Sequence, residues 1–172
     1  MIIISHRVNS KEELKKLNPK YGVEVDLRDY KNEIQLTHDP FKKGLKFENY
    51  LKLYKHSFII CNIKSERIEF KVLKILKRFK IKNYFFLDSS FPMKVICLKK
   101  NIYNQSIRYS KYENVPKTNF FNKIKWIWYD TFDGLPKTHD LIKLKKSKRK
   151  ICLVCPKLHN KSFKNSIIHN FL

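Results

Sequence analysis

Short apolar runs alternate with helix-period stretches along this chain, and that rhythm admits few architectures. Phe58, Ile59, Ile60 and Cys61 open a run of strand length that ends at Ile63, and Tyr84, Phe85, Phe86 and Leu87 form another. Between them, residues 67–79 set Val72, Leu73, Ile75, Leu76 and Phe79 among lysines at the spacing of an amphipathic helix. Further strands are expected at residues 2–4, 22–28, 106–109, 126–129 and 151–154, and further helices at 10–17, 47–54, 93–98 and 139–144. Strands that alternate with helices imply βα units and a parallel sheet. The hydrophobic fraction is 42% and the aromatic fraction 14% over 172 residues, which suits one domain spanning 1–172 with a real core.

Local signals sharpen the outline. Ser10 followed three residues later by Glu13 has the form of a capping box, and Asn18-Pro19 stops the helix that it starts. From Gly22 to Arg28 the chain alternates strictly, with Val23, Val25 and Leu27 on one face and Glu24, Asp26 and Arg28 on the other. Lys31-Asn32 suits a tight turn, and residues 34–38 return as the second strand of a hairpin. Apart from that hairpin strand, seven core strands are expected. The expectation is therefore an α/β fold of the (β/α)8 TIM-barrel type, with a small β-hairpin inserted after strand 2 and the last βα element missing. A full barrel takes about 200 residues or more, so the chain reads as a C-terminally truncated barrel; an open doubly wound sheet is the alternative. The open edge of such a barrel would be closed by a homodimer.

Reactive side chains cluster at the expected strand ends. His6 and Arg7 follow the first strand, Glu24 and Asp26 lie on the second, His38-Asp39 follows the hairpin, and Asn62 and Lys64 end the next core strand. Glu24 and Asp26 are two apart on a strand, so both project to one face, roughly 6.6 Å apart at the backbone. Two carboxylates so placed can clamp one hard divalent cation, and such a cation can neutralise a phosphodiester and polarise its P–O bond. Arg7 offers a forked donor for phosphate oxygens, and two histidines supply an acid and a base near neutral pH. Taken singly, each group reads as an ordinary surface, strand-end or turn residue; together they fall at equivalent positions of one expected barrel.

In this order, His6-Arg7, Gly22-Val23-Glu24-Val25-Asp26 and Leu36-Thr37-His38-Asp39-Pro40 resemble the signature of the glycerophosphodiester phosphodiesterases. The match in order and spacing covers residues 5–40, and the phospholipase C-like barrels are a looser relative. The resemblance implies a metal-dependent phosphodiester hydrolase acting on a glycerophosphodiester-like or other small anionic phosphodiester, helped by the glycerol hydroxyl. It implies His6 and His38 as the acid/base pair, Arg7 on the phosphate, and Glu24 and Asp26 as ligands of Mg²⁺ or Ca²⁺. Two departures stand out. Val8 replaces the usual glycine and narrows the approach to phosphate. Asn62-Ile63-Lys64-Ser65-Glu66 exchanges the charges of the family pattern, so Lys64 stands where a third acidic ligand is expected. A cation there repels a metal or replaces it in part as a phosphate clamp. Asp88 on the next strand end, or Glu66, is then the available carboxylate, and Arg108 with Lys64 offers charge for a second phosphate.

Charge and cysteines bound the remainder. Lys and Arg number 38 against 15 Asp and Glu, a formal net charge of +23, which draws anions of every class. No nucleic-acid-reading motif accompanies it, and a drift of composition towards lysine explains much of it. The basic stretch 143–150 suits peripheral contact with an anionic membrane. Cys152 and Cys155 lie on an expected strand and point to opposite faces, which argues against zinc. The N-terminus has no signal-peptide form, and no apolar run is long enough to cross a bilayer, so a cytoplasmic protein is expected. Two other functions compete with the hydrolase: a catalytically impaired barrel that binds a phosphorylated ligand, and a polyanion binder relying on net charge.

Overall fold

A computed structural model describes residues 1–160, 162–164 and 166. The chain divides into two units, Met1–Lys99 and Lys100–Leu172, each with its own sheet.

The first unit is organised around β2 (Gly22–Tyr30). β1 (Ile4–Ser5) runs parallel to its start, and β5 (Ile59–Ile63) runs parallel along its middle. β3 (Glu33–Leu36) and β4 (Leu45–Lys46) add antiparallel strands at the other side, and β6 (Tyr84–Leu87) lies parallel to β5. The six strands follow the order β4-β3-β2-β5-β6, with β1 on β2. Because β2 has partners along both sides and is covered on both faces, Val23, Val25 and Leu27 are fully buried, and so are Glu24 and Asp26 on the opposite face. Gly22 is required for the close approach of its neighbours: a Cβ there would collide with the Ile4 side chain and sit 3.0 Å from the Phe58 carbonyl oxygen.

Local chemistry behaves as the sequence indicates. Ser10 caps α1 (Lys11–Lys16) with the reciprocal Glu13 box complete. Lys31 and Asn32 both have positive φ (46° and 63°), and Tyr30 pairs with Glu33, so the turn is the two-residue kind whose twist matches a hairpin. α2 (Phe47–Leu51), α3 (Glu69–Arg78) and α4 (Phe91–Lys99) fall within two or three residues of the expected helices. α3 buries Val72, Ile75 and Leu76 on one stripe. The second unit holds β7 (Ser106–Tyr109), β8 (Trp126–Tyr129) and β9 (Lys150–Leu153) in one parallel sheet, with α5 (Thr138–Lys145) packing Leu144 against Tyr109, Ile127 and Tyr129.

The barrel expectation is overturned. Seven strands do pair in parallel, but β1, β2, β5 and β6 belong to one mixed sheet and β7, β8 and β9 to another. A barrel requires each strand to have a neighbour on both sides until the ring closes. Among the described residues β6 pairs only with β5 and β7 only with β8, and there are five α-helices. The architecture is mixed α/β with no ring, so an edge left by a missing eighth strand is not one of its features. Two smaller corrections follow. The first strand is Ile4–Ser5 alone, with Ile2 and Ile3 about half exposed, and β4 is an additional strand.

Candidate functional site

In a parallel arrangement the carboxyl ends of the strands lie on one side, and loops leaving them share one rim. In the first unit that rim collects His6 and Arg7 after β1, Lys64 after β5 and Asp88 after β6, above Glu24 and Asp26 on β2 and Asn62 on β5. Asp26 and Asn62 are register partners across the β2–β5 ladder, which puts the amide beside the carboxylates. Arg7 and Asp88 both adopt left-handed backbone (φ 55° and 60°) at the point where each strand turns into its loop. A non-glycine residue held there costs about 1–3 kcal/mol, and such positions gather at functional sites.

The two carboxylates are buried, Glu24 at 1% and Asp26 at 0% exposure, and neutral donors hold them. Asn62 Nδ2 donates to Glu24 Oε1 at 2.8 Å and to Asp26 Oδ1 at 3.3 Å. The Arg7 backbone N–H donates to Glu24 Oε2 at 2.8 Å. Asn9 donates to Asp26 Oδ2 at 2.9 Å and accepts from the Asp26 backbone N–H, also at 2.9 Å. Cations stand next. His6 Nε2 is 3.7 Å from Glu24 Oε2, Arg7 Nε is 4.0 Å from Asp26 Oδ2, and Lys64 Nζ lies 3.7 Å from Asp26 Oδ1 and 3.6 Å from Asp88 Oδ2.

His38 joins from the loop after β3. Arg7 Nη2 donates to its Nε2 at 2.9 Å, so that nitrogen carries the lone pair and the proton sits on Nδ1, 3.0 Å from Asp39 Oδ1. Hydrogen bonds from Lys42 and then His38 hold the Asp39 carboxyl down at about 2. Arg28 ties this loop to the end of β5, donating to the His38 carbonyl at 3.0 Å and to the Lys64 carbonyl at 2.7 Å. A cleft of about 290 Å³ opens beside the group, lined by Ser5, His6, Arg7, Val8, Glu13, Lys16 and Leu17. Val8 reaches this cleft while keeping its side chain buried at 4% exposure.

Burial, and then the charge of Asp26, push the Glu24 carboxyl above its ordinary range. Burial, and then the Arg7 guanidinium, hold the His6 imidazole below its ordinary 6.5, against the opposing pull of Asp26. His6 is therefore neutral near pH 7 and able to accept a proton.

The donor set does not fit a hard divalent cation. Each carboxylate oxygen of Glu24 and Asp26 already faces a protein donor. The Lys64 ammonium stands between Asp26 and Asp88, the two acids that would have to share the ion. Among the described residues no group of three or more His, Cys, Asp or Glu side chains is disposed to hold a metal ion. Glu66 does not supply the missing carboxylate: it is exposed and accepts from Ser90 Oγ at 2.7 Å. Arg108 lies on β7, which belongs to the second unit.

Sequence reasoning missed Asn9 and the positioning role of Arg28. Nothing in the sequence marks Asn9, which precedes a helix cap. Arg28 did carry a signal, since strand alternation places it on the face of Glu24 and Asp26. No family model, no curated protein and no solved structure matches the chain. No helix among the described residues is long and apolar enough to cross a membrane.

Proposed function

We propose that the strand-end group of the first unit cleaves small phosphodiesters of the glycerophosphodiester kind, in the cytoplasm. The observation that carries this reading is the meeting of His6, Arg7, His38 and Lys64 around one buried acid pair, from three separate segments of the chain. Residues 5–40 resemble the glycerophosphodiester phosphodiesterases in the order of these groups, which supports the same reaction class.

Arg7 and Lys64 bind the phosphate oxygens, and their charges oppose the negative charge that grows in the transition state. Neutral His6 takes the proton from a substrate hydroxyl beside the phosphate, and that oxygen forms a new bond to phosphorus. The P–O bond to the leaving alcohol breaks. His38, oriented through Nδ1 by Asp39, takes up a solvent proton on Nε2 once Arg7 turns from it to the phosphate, and gives that proton to the leaving oxygen. The result is a cyclic phosphodiester, which water opens by the reverse sequence of proton transfers. Asn9, Asn62 and Arg28 are positioning residues in this scheme.

A specific observation favours a second reading, a module that binds a phosphorylated ligand without turnover: Arg7 occupies the His38 lone pair. Kinetics on a panel of glycerophosphodiesters separates the two. Hydrolysis that drops by about 10²–10⁴-fold in His38→Ala and in His6→Ala is expected for acid/base groups. A folded wild type that binds glycerol phosphate and hydrolyses nothing in the panel would select the binding module.

A further inference from the structure

We infer that the Arg7 and Lys64 side chains together take the place of a divalent cation, so that this site works on phosphate without metal and excludes one. The inference rests on the proposed phosphodiester chemistry and deepens it. A divalent ion in such a site does two things: it neutralises buried carboxylates, and it offers positive charge to the phosphate. Both tasks are covered here by residues of the chain. Asp26 is fully buried and is approached on one oxygen by Lys64 and on the other by Arg7. These two unit charges sum to the charge of one divalent ion. Lys64 also reaches Asp88, so its ammonium bridges two acids from different strands as a shared metal would.

Both cations remain able to meet a ligand. The Arg7 side chain is 52% exposed and that of Lys64 20% exposed, while the carboxylate that they flank has no exposure at all. Asn62 contributes to the exclusion. Its Nδ2 spans Glu24 and Asp26, so a donor rather than an acceptor fills the gap between the carboxylates. The Asn62 carbonyl oxygen is buried without a hydrogen-bond partner. Rotating the amide to offer that oxygen to a cation would forfeit both donor bonds to the carboxylates. A cation entering between Asp26 and Asp88 would also have to displace the ammonium already there.

Paramagnetic resonance of added Mn²⁺, with the full chain, tests this directly. The wild type is expected to bind no Mn²⁺ in the millimolar range and to lose no phosphodiesterase turnover in chelator. Lys64→Glu, which turns the bridging cation into a third acid, is expected to bind Mn²⁺ about tenfold tighter or more. Lys64→Ala carries the same comparison if circular dichroism shows that Lys64→Glu has not folded, with a smaller gain in binding. Wild-type Mn²⁺ binding that disappears in Asp26→Asn would overturn the inference, as would a folded Lys64→Glu that binds no better than wild type. The binding measurement needs no turnover, so the two readings fail separately. An inactive wild type that excludes Mn²⁺ sinks the proposed reaction alone. An active wild type silenced by chelator sinks the charge substitution alone.

Discussion

The two units of this chain treat their acids in opposite ways. In the second unit, Asp140 accepts from the hydroxyls of Tyr109 and Tyr129, each at 2.9 Å. Burial would raise its carboxyl, but the two hydroxyls, with the charges of His139 and Lys137, together hold it below the usual range, while Tyr129 itself is pushed up to about 12 by burial and then by this bond. Asp130 is similarly engaged, with both oxygens within 3.1 Å of His159 Nε2. In the first unit the carboxylates are crowded instead. Glu24 and Asp26 share one buried spot, Glu24 is raised rather than lowered, and the cations beside them are partly exposed. A carboxylate relaxed by neighbouring hydroxyls behaves as structure. A pair kept under mutual repulsion beside accessible cations has the electrostatics of a working site.

This contrast can be broken by substitution. The largest effect is expected from Asn62→Leu, which strips Glu24 and Asp26 of a shared donor and leaves like charges facing each other. Chemical denaturation should show a loss of about 2–4 kcal/mol, with turnover abolished as well. Asp140→Ala, in the other unit, removes the acceptor of two tyrosine hydroxyls and should cost about 1–2 kcal/mol. Its turnover should remain within about twofold of wild type, because the group that we assign to chemistry lies in Met1–Lys99. Loss of turnover out of proportion to unfolding in Asp140→Ala would erase the distinction.

The smallest effect concerns pH. A base must be unprotonated to act, and the folded-state value of His6 lies below 6.5, so the acid limb of kcat/KM should fall below pH 6.5. Arg7→Gln removes the second contributor to that depression while burial persists, so the limb should move up towards 6.5 without reaching it. The same group has a stability signature. The unfolded chain binds a proton at His6 more readily than the folded one, so stability should rise as pH climbs towards 6.5 and level off above it. His6→Asn should flatten that rise in a series of thermal melts. An acid limb unmoved by Arg7→Gln would remove His6 from the role of base.

The sequence made the elements and the site more legible than their assembly. Period-two and helical patterns report which faces are buried, and β2, β5, β6 and α3 lie where those patterns indicate. They do not report which strand edges meet. That β6 and β7 belong to different sheets depends on pairing that no local pattern encodes, so seven parallel strands suggested a ring where two sheets are found. β4 is two residues long and shows no period at all. At the site, His6, Arg7, Glu24, Asp26 and His38 were legible because their chemistry is distinctive, and Lys64 because it reversed an expected charge. Asn9 was invisible, since a side-chain amide that braces a carboxylate from a loop looks like any polar loop residue.

The central claim is that the first unit cleaves phosphodiesters with its own cations. Phosphorus NMR of a glycerophosphodiester incubated with the wild type in chelator tests it most directly. A transient cyclic phosphate signal followed by a phosphomonoester is expected, both missing with His6→Ala. A folded wild type that leaves the substrate resonance unchanged in chelator would contradict it, whether or not added Mg²⁺ or Ca²⁺ restores turnover.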